Sequence, residues 1–353
     1  MRILFTNIAL NARTGTEVLT RDLAVAMRRR GHDCVIYTHA KGAISDWLAD
    51  HAFEATDSIA SITGPIDVIH GHHNSVAGIA AIRFPGVPAI FVCHDLEAWH
   101  DAPPKLPNFK QFVAIGPTSA QRLMQAGWVS PDRISIIPNG VDQDRFRPGP
   151  PLPEKCGRAL AFCKASEMVK PIKDACRRRG IVVEFAGYGT GNPLEDPAAA
   201  MPKYDLVFCS GLTAREALSC RRAVICCDNR GLGGMISVQR LKDWGNNLGR
   251  KVLTQALDTR NLIRELDRYD SSDATSAAGM FAAGCSITDC AERYESIYRL
   301  AMAEGVANQE ATASPDVLGF IETYCQKPGN PRVAAPERHV RQAGDAKPPL
   351  IDG

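Results

Sequence analysis

DLVFCSGLTAREALSCRRAVICCD, residues 205–228, decides how this chain is read. LVFC is a short apolar run that ends at Cys209, and the small polar turn S-G-L-T follows it. TAREALS then reads as a helix, and AVICCD as a second buried run. Strands without polar alternation are covered on both faces, so strand, turn, helix and strand here form a parallel βαβ unit. One acid, Glu216, falls in the first turn of the expected helix, at the mouth of the unit.

The same alternation extends in both directions. RILFTNIAL, DCVIYT, DVIHG, AIFVCHD, FVAIG and ISIIPN read as strands, separated by helices and loops. TGTEVLTRDLAVAMRRRG reads as a helix, with Thr14 and Glu17 at capping-box spacing and Gly31 as its stop. RFRPGPPLPEKCG, 145–157, is rich in Pro and Gly and reads as a linker. Beyond it come RALAFC, VKPIKDACRRRG, IVVEFAG and then the opening unit, a second sheet of the same kind. The expected fold is α/β: two Rossmann-like domains in tandem, 1–148 and 158–304, each a parallel sheet with helices on both faces, joined by a linker at 149–157. The tail, 305–353, is expected to be largely flexible, with a short helix near 315–325.

Composition narrows the classes of function. The chain has 353 residues, 45% of them hydrophobic, with 41 Lys and Arg against 39 Asp and Glu, a net charge of +2. Such balance gives no support for a nucleic-acid partner. No apolar run approaches the ~20 residues of a membrane span. MRILFTNIAL lacks a small-residue cleavage site and reads as a first strand, not a signal peptide. The twelve cysteines are scattered without a CxxC pair and read as reduced core thiols of a cytoplasmic protein.

Tandem sheets of this type present their C-terminal strand ends across a cleft, where ligands bind. The loop NIALNARTGTE lacks GxGxxG, but Gly15 at a helix start leaves amides open to an anion. Gly211 and Thr213, in the turn of the opening stretch, lead into a helix whose first amides can hold a phosphate pair. Lys164 and Lys170 are placed to supply cations to that phosphate. Glu216 could accept two hydroxyls of a ribose. On a strand, His70 and His72 of HGHH share a face and His73 opposes them, which favours a cleft-facing loop over a metal site. Asp95, next to His94, is a candidate for setting its tautomer.

HGH, CHD, IIPNGVDQDRFRP, CKASEMVK, FAGYGTG and REALSCRRAVICCDNRG occur in the order found in retaining glycosyltransferases of the GT-B fold, and the chain resembles that family over residues 1–300. The resemblance implies a nucleotide-sugar donor such as a UDP- or GDP-hexose, no further cofactor and no metal. It implies that Gly15 lies near the donor pyrophosphate, that His94 is the active-site histidine, that Lys164 and Lys170 hold the diphosphate and that Glu216 holds the ribose. His72, His73 and Asp95 are then acceptor-side candidates, for a glycan, lipid-linked or small-molecule acceptor with possible peripheral contact at the inner membrane face. Two features depart from the family. Its first glutamate falls on Phe208, within a strand, and the stretch between FAGYGTG and YDLVFC is short. A binding or assembly protein without catalysis, or a nucleotide-sugar epimerase on the same fold, are the alternative readings.

Overall fold

The computed structural model describes residues 1–13, 15–245, 247–306 and 320. In the first half, β1 (Arg2–Ala9), α1 (Gly15–Arg29), β2 (Asp33–Ala40), α2 (Ala43–Asp50), β3 (Glu54–Thr56), β4 (Val68–His72), α3 (Asn74–Arg83), β5 (Ala89–Cys93), β6 (Phe109–Ala114), α4 (Pro117–Gln125) and β7 (Ile134–Ile136) alternate. The second half holds β8 (Arg158–Phe162), α5 (Val169–Arg178), β9 (Val182–Ala186), α6 (Pro197–Ala200), β10 (Leu206–Cys209), α7 (Leu212–Ser219), β11 (Ala223–Asp228), β12 (Gly231–Met235), α8 (Val238–Trp244), α9 (Thr259–Leu266), α10 (Ser271–Ala282) and α11 (Ile287–Glu304).

The first sheet runs β3-β2-β1-β4-β5-β6-β7 and the second β12-β11-β10-β8-β9. All pairings in the first are parallel. The apolar runs account for this: β4, β5, β10 and β11 are buried along their whole length. Each sheet order reverses at one point, between β1 and β4 and between β8 and β10. Crevices for ligands open at such reversals, outside the carboxyl ends of the strands.

The second sheet is mixed, not purely parallel, because β12 pairs antiparallel with β11. GLGGM does not read as a strand, since glycine is depleted there. Its glycines are needed because neighbours press on the backbone: a Cβ at Gly233 would lie 2.9 Å from the Val252 carbonyl oxygen.

The two units meet earlier in the chain than the Pro-rich stretch implies. Ile137 belongs to the core under the first sheet, whereas Val141 and Phe146 belong to that of the second. Segment 149–157 lies along the second unit, with the Gly149 amide donating to the Cys220 carbonyl. The chain then crosses back. Cys285 packs in the second core, while Ile287, Tyr294 and Tyr298 of α11 pack in the first. Helix α11, placed by chain order in 158–304, is therefore part of the N-terminal unit in space. Its apolar stripe finds cover against α1 and β4–β6.

The two crossings touch. The Val141 amide donates to Cys285 at 2.7 Å and the Ile287 amide to Val141 at 2.8 Å. Gly140 permits this approach, because a Cβ there would sit 2.7 Å from the Ile287 Cα. In the tail, Phe320 is buried in the first core against Gly78. The remainder of the short helix read near 315–325, and Thr14 of the capping box, lie outside the described residues.

Candidate active site

The cleft wall of the second unit is built at the reversal between β8 and β10. Lys164 follows β8, and its Nζ donates to Ser210 Oγ at 3.1 Å and lies 3.3 Å from Asp228 Oδ2. Ser210 follows β10 and its hydroxyl donates to the same carboxylate at 2.8 Å. Asp228 ends β11 and also accepts from the Arg230 guanidinium at 2.7 Å. Burial alone would raise the Asp228 carboxyl, but the Arg230 hydrogen bonds, Lys164 and Ser210 hold it well below the usual range. It is a fixed anion that orients two cations. Sequence reading missed Asp228 and Arg230. The available signal was position: Asp228 is the last residue of a buried strand and Arg230 lies two residues beyond it.

Gly211 caps α7 with φ +63, a left-handed conformation that favours glycine. Its own amide donates to Leu248. No side chain caps the helix, so the amides of Leu212, Thr213 and Ala214 remain as donors at its start.

Glu216 requires a correction. The helix starts at Leu212, one residue before the expected start, and no acid lies in its first turn. Glu216 is in the second turn and only 7% exposed. Burial first, then Asp22, push its carboxyl up to about 8, against the lowering pull of Arg145 and Arg21. It therefore faces α1 of the other unit, where Arg21 and Asp22 pair at 2.6 Å. Phe208, where the first acid of the family would fall, is fully buried in β10.

Lys170 is exposed in the first turn of α5 and has no hydrogen bond or ion pair among the described residues. The loop before it packs closely on the GxGxG turn, since a Cβ at Gly189 would meet Ala165 at 2.5 Å. Gly187 and Gly189 thus serve loop packing, whereas a Cβ at Gly191 would meet nothing within 4 Å. Gly15 starts α1 and is exposed, and a Cβ there would meet nothing within 4 Å. The fold leaves open space at that helix start.

The other wall is made by the ends of β4 and β5. His70 and His72 share a face, as alternation requires, and their Nε2 atoms are 3.0 Å apart. His72 Nδ1 is 2.7 Å from His94 Nε2. His94 Nδ1 is buried with no hydrogen-bond partner among the described residues. Burial lowers all of these imidazoles, His94 to about 4, so they are neutral at pH 7. His72, expected on the acceptor side, is fully buried behind His94. His73, at φ +61, is buried as well, and its Nδ1 accepts from the Ile8 amide at 3.1 Å.

Asp95 does not set the His94 tautomer. Its Oδ1 accepts the amides of Glu97 and Ala98 at 2.7 and 2.9 Å. Burial opposes ionisation there, but those amides and the cations Arg250 and Arg230 lower its pKa. Asp101 holds the backbone here and not the ring: its Oδ1 accepts the His94 main-chain amide at 3.0 Å. Burial pushes Asp101 up to about 7.

The walls are joined across the cleft. Arg250 pairs with Glu97 at 2.6 Å, the Arg13 amide donates to Tyr188 Oη at 3.2 Å, and the Arg13 guanidinium donates to the Glu195 carbonyl. Arg230, held by Asp228, also feels the field of Asp95 and Glu97. Lys164 and His94 are thereby linked through Asp228, Arg230 and Asp95. Among the described residues, no group of three or more His, Cys, Asp or Glu side chains is arranged to hold a metal ion. Nor is any described helix long and apolar enough to cross a membrane.

Two such units facing each other across a cleft make the GT-B fold found in glycosyltransferases, and the comparisons agree on that fold. A glycosyltransferase from Rickettsia africae superimposes with TM-score 0.62 at 12% identity, over 85% of this chain and 98% of that one. Anabaena HepE, solved in complex with UDP and glucose, superimposes with TM-score 0.58 at 14% identity, over 83% and 98%. More narrowly, residues 13–145, from the loop after β1 to the crossing, match Glycosyltransferase Family 4. A D-inositol 3-phosphate glycosyltransferase from Frankia alni is 26% identical over 176 residues, 38% of this chain and 43% of that relative's length.

Proposed function

We propose that the protein transfers a hexose from a nucleotide sugar to an acceptor hydroxyl, with retention at the anomeric carbon and without a metal. The observation that carries this is Lys164, held by Ser210 and Asp228 beside the open amides of α7. A departing diphosphate gains negative charge as the glycosidic bond breaks. Fixed cations and oriented amides stabilise that charge more than they stabilise the bound donor. Lys170 completes the basic pair from α5. In a front-face displacement the leaving phosphate oxygen takes the acceptor proton, so no protein nucleophile or base is required. His94 meets the sugar from the opposite wall, and Glu216 accepts the ribose hydroxyls. The Family 4 match and the UDP and glucose bound by the Anabaena relative support this reading.

The rival reading is a protein that binds a nucleotide sugar without turning it over. The buried Phe208, in place of an acid, favours it. Calorimetric titration with UDP, GDP and ADP, followed by transfer of labelled sugar from the matching donor, separates the two. Binding and transfer support the enzyme, and binding without transfer or hydrolysis supports the rival. In either case we place the protein in the cytoplasm, where its cysteines stay reduced, with peripheral membrane contact if the acceptor is lipid-linked.

A further inference from the structure

Helix α11 reaches the cleft through a chain of hydrogen bonds. Tyr298 Oη lies 2.6 Å from His70 Nδ1, His70 Nε2 lies 3.0 Å from His72 Nε2, and His72 Nδ1 lies 2.7 Å from His94 Nε2. Tyr298, His70 and His72 are fully buried. A neutral imidazole has one N–H and one lone-pair nitrogen, so such a chain can run in only two directions.

If Tyr298 donates to His70 Nδ1, the His70 proton sits on Nε2 and goes to His72 Nε2. The His72 proton then sits on Nδ1 and goes to His94 Nε2, which leaves the His94 proton on Nδ1. Only that last N–H lacks a partner. In the opposite direction His70 donates to Tyr298. The tyrosine hydroxyl then has no acceptor, because His70 is its one hydrogen-bond partner among the described residues. His94 Nδ1 becomes an unpaired buried lone pair as well. Two unmet groups cost more than one, so the first direction prevails.

We propose that Tyr298 is a positioning residue that, through His70 and His72, holds His94 as the Nδ1–H tautomer, so that His94 meets the bound sugar as a hydrogen-bond donor and not as a base. That N–H is buried in this structure, so it reaches an acceptor oxygen of a sugar hydroxyl once its surroundings shift on binding. Burial keeps the Tyr298 hydroxyl protonated and the imidazoles neutral, as the chain requires. The ligand half of this assignment rests on the transferase reading; the tautomer half does not.

The test uses the full chain with ¹⁵N-labelled histidine and long-range proton–nitrogen correlation, the His94 signals being assigned with His94→Gln. The parent is expected to carry its His94 proton on Nδ1. Tyr298→Phe keeps the ring and removes the hydroxyl, and should move that proton wholly or partly to Nε2. It should also lower kcat/KM for transfer about fivefold to tenfold, the worth of one neutral hydrogen bond. Tyr294→Phe is the control: its ring is 4.9 Å from that of His70, but it makes no hydrogen bond to the chain. It should leave both tautomer and rate unchanged. A parent with His94 protonated on Nε2, or a tautomer unmoved in folded Tyr298→Phe, overturns the assignment. A tautomer that moves while transfer stays at the parent rate overturns the positioning role. Absence of transfer by the parent itself, with the tautomer as assigned, overturns the transferase reading and leaves the relay standing.

Discussion

Lys164 Nζ lies 3.3 Å from Asp228 Oδ2, the two side chains arriving from the ends of β8 and β11 on either side of β10. The contact fixes where the ammonium can reach. Lys164→Ala should cut the rate of transfer on the order of 10²-fold, with a smaller loss of donor affinity. Lys170→Ala should do the same without any orienting partner to disturb. Both should melt with the parent in the absence of ligand, since exposed lysines contribute little to folding. Steady-state transfer beside an unliganded melting curve checks this, and equal rates in all three proteins would remove the diphosphate assignment.

Glu216 gives stability a specific pH dependence. Its folded pKa, about 8, lies above the ordinary 4.5. The folded state therefore holds the proton more tightly, and the contribution is complete below about pH 4.5. It is lost as pH rises through the folded value. Asp101, raised to about 7, acts in the same direction. Stability should fall between pH 5 and 8 on the order of a few kcal/mol, and Glu216→Gln should flatten part of that fall. Denaturant melts at closely spaced pH values measure it, and a parallel decline in the variant would exclude Glu216 as the source.

The ribose role adds a second pH effect. The ionised carboxylate accepts hydroxyl donors best, so nucleoside diphosphate affinity should rise as pH approaches 8. Glu216→Gln should be weaker by about 1–3 kcal/mol at the upper end and flat across the range. Calorimetric titration at several pH values reads both, and unchanged affinity in the folded variant would return Glu216 to a purely interfacial role.

His94→Ala removes the imidazole that ends the relay but leaves the other wall untouched. Transfer should fall while nucleoside diphosphate affinity stays near that of the parent. Loss of nucleotide binding with turnover of bound donor intact would show that His94 faces the diphosphate instead.

Gly140→Ala places a methyl 2.7 Å from the Ile287 Cα, closer than real contacts allow. The crossings would have to part, at a cost of about 1–3 kcal/mol. A lower melting temperature is expected, and a variant as stable as the parent would mean that the two segments are not pressed together in solution.

The alternation of buried runs made both sheets legible, because strands such as AVICCD carry their burial in their composition. What escaped was decided by backbone and by distance along the chain. β12 is a strand of glycines, admitted by close neighbours and not by propensity. Glu216 left the first turn because Gly211 adopts a left-handed φ and starts the helix one residue early. The relay joins positions 70, 72, 94 and 298, and no local pattern connects Tyr298 to a histidine more than two hundred residues away. His94, Lys164, Gly211 and Thr213 did fall at strand ends or helix starts, which is where short motifs are informative.

The paired crossings have a mechanical consequence. Val141 and Ser286 are the points where the chain leaves one unit and returns to it, and they are bonded side by side. Two tethers at one place act as a hinge with a single axis, and forbid the swivel that one flexible tether would allow. Opening is then a rotation in which displacement grows with distance from that axis. The polar contacts that such a rotation would break on the rim include Arg13 with Tyr188 and Glu195, and Arg250 with Glu97. A rotation about that axis would break those surface bonds and leave both apolar cores packed.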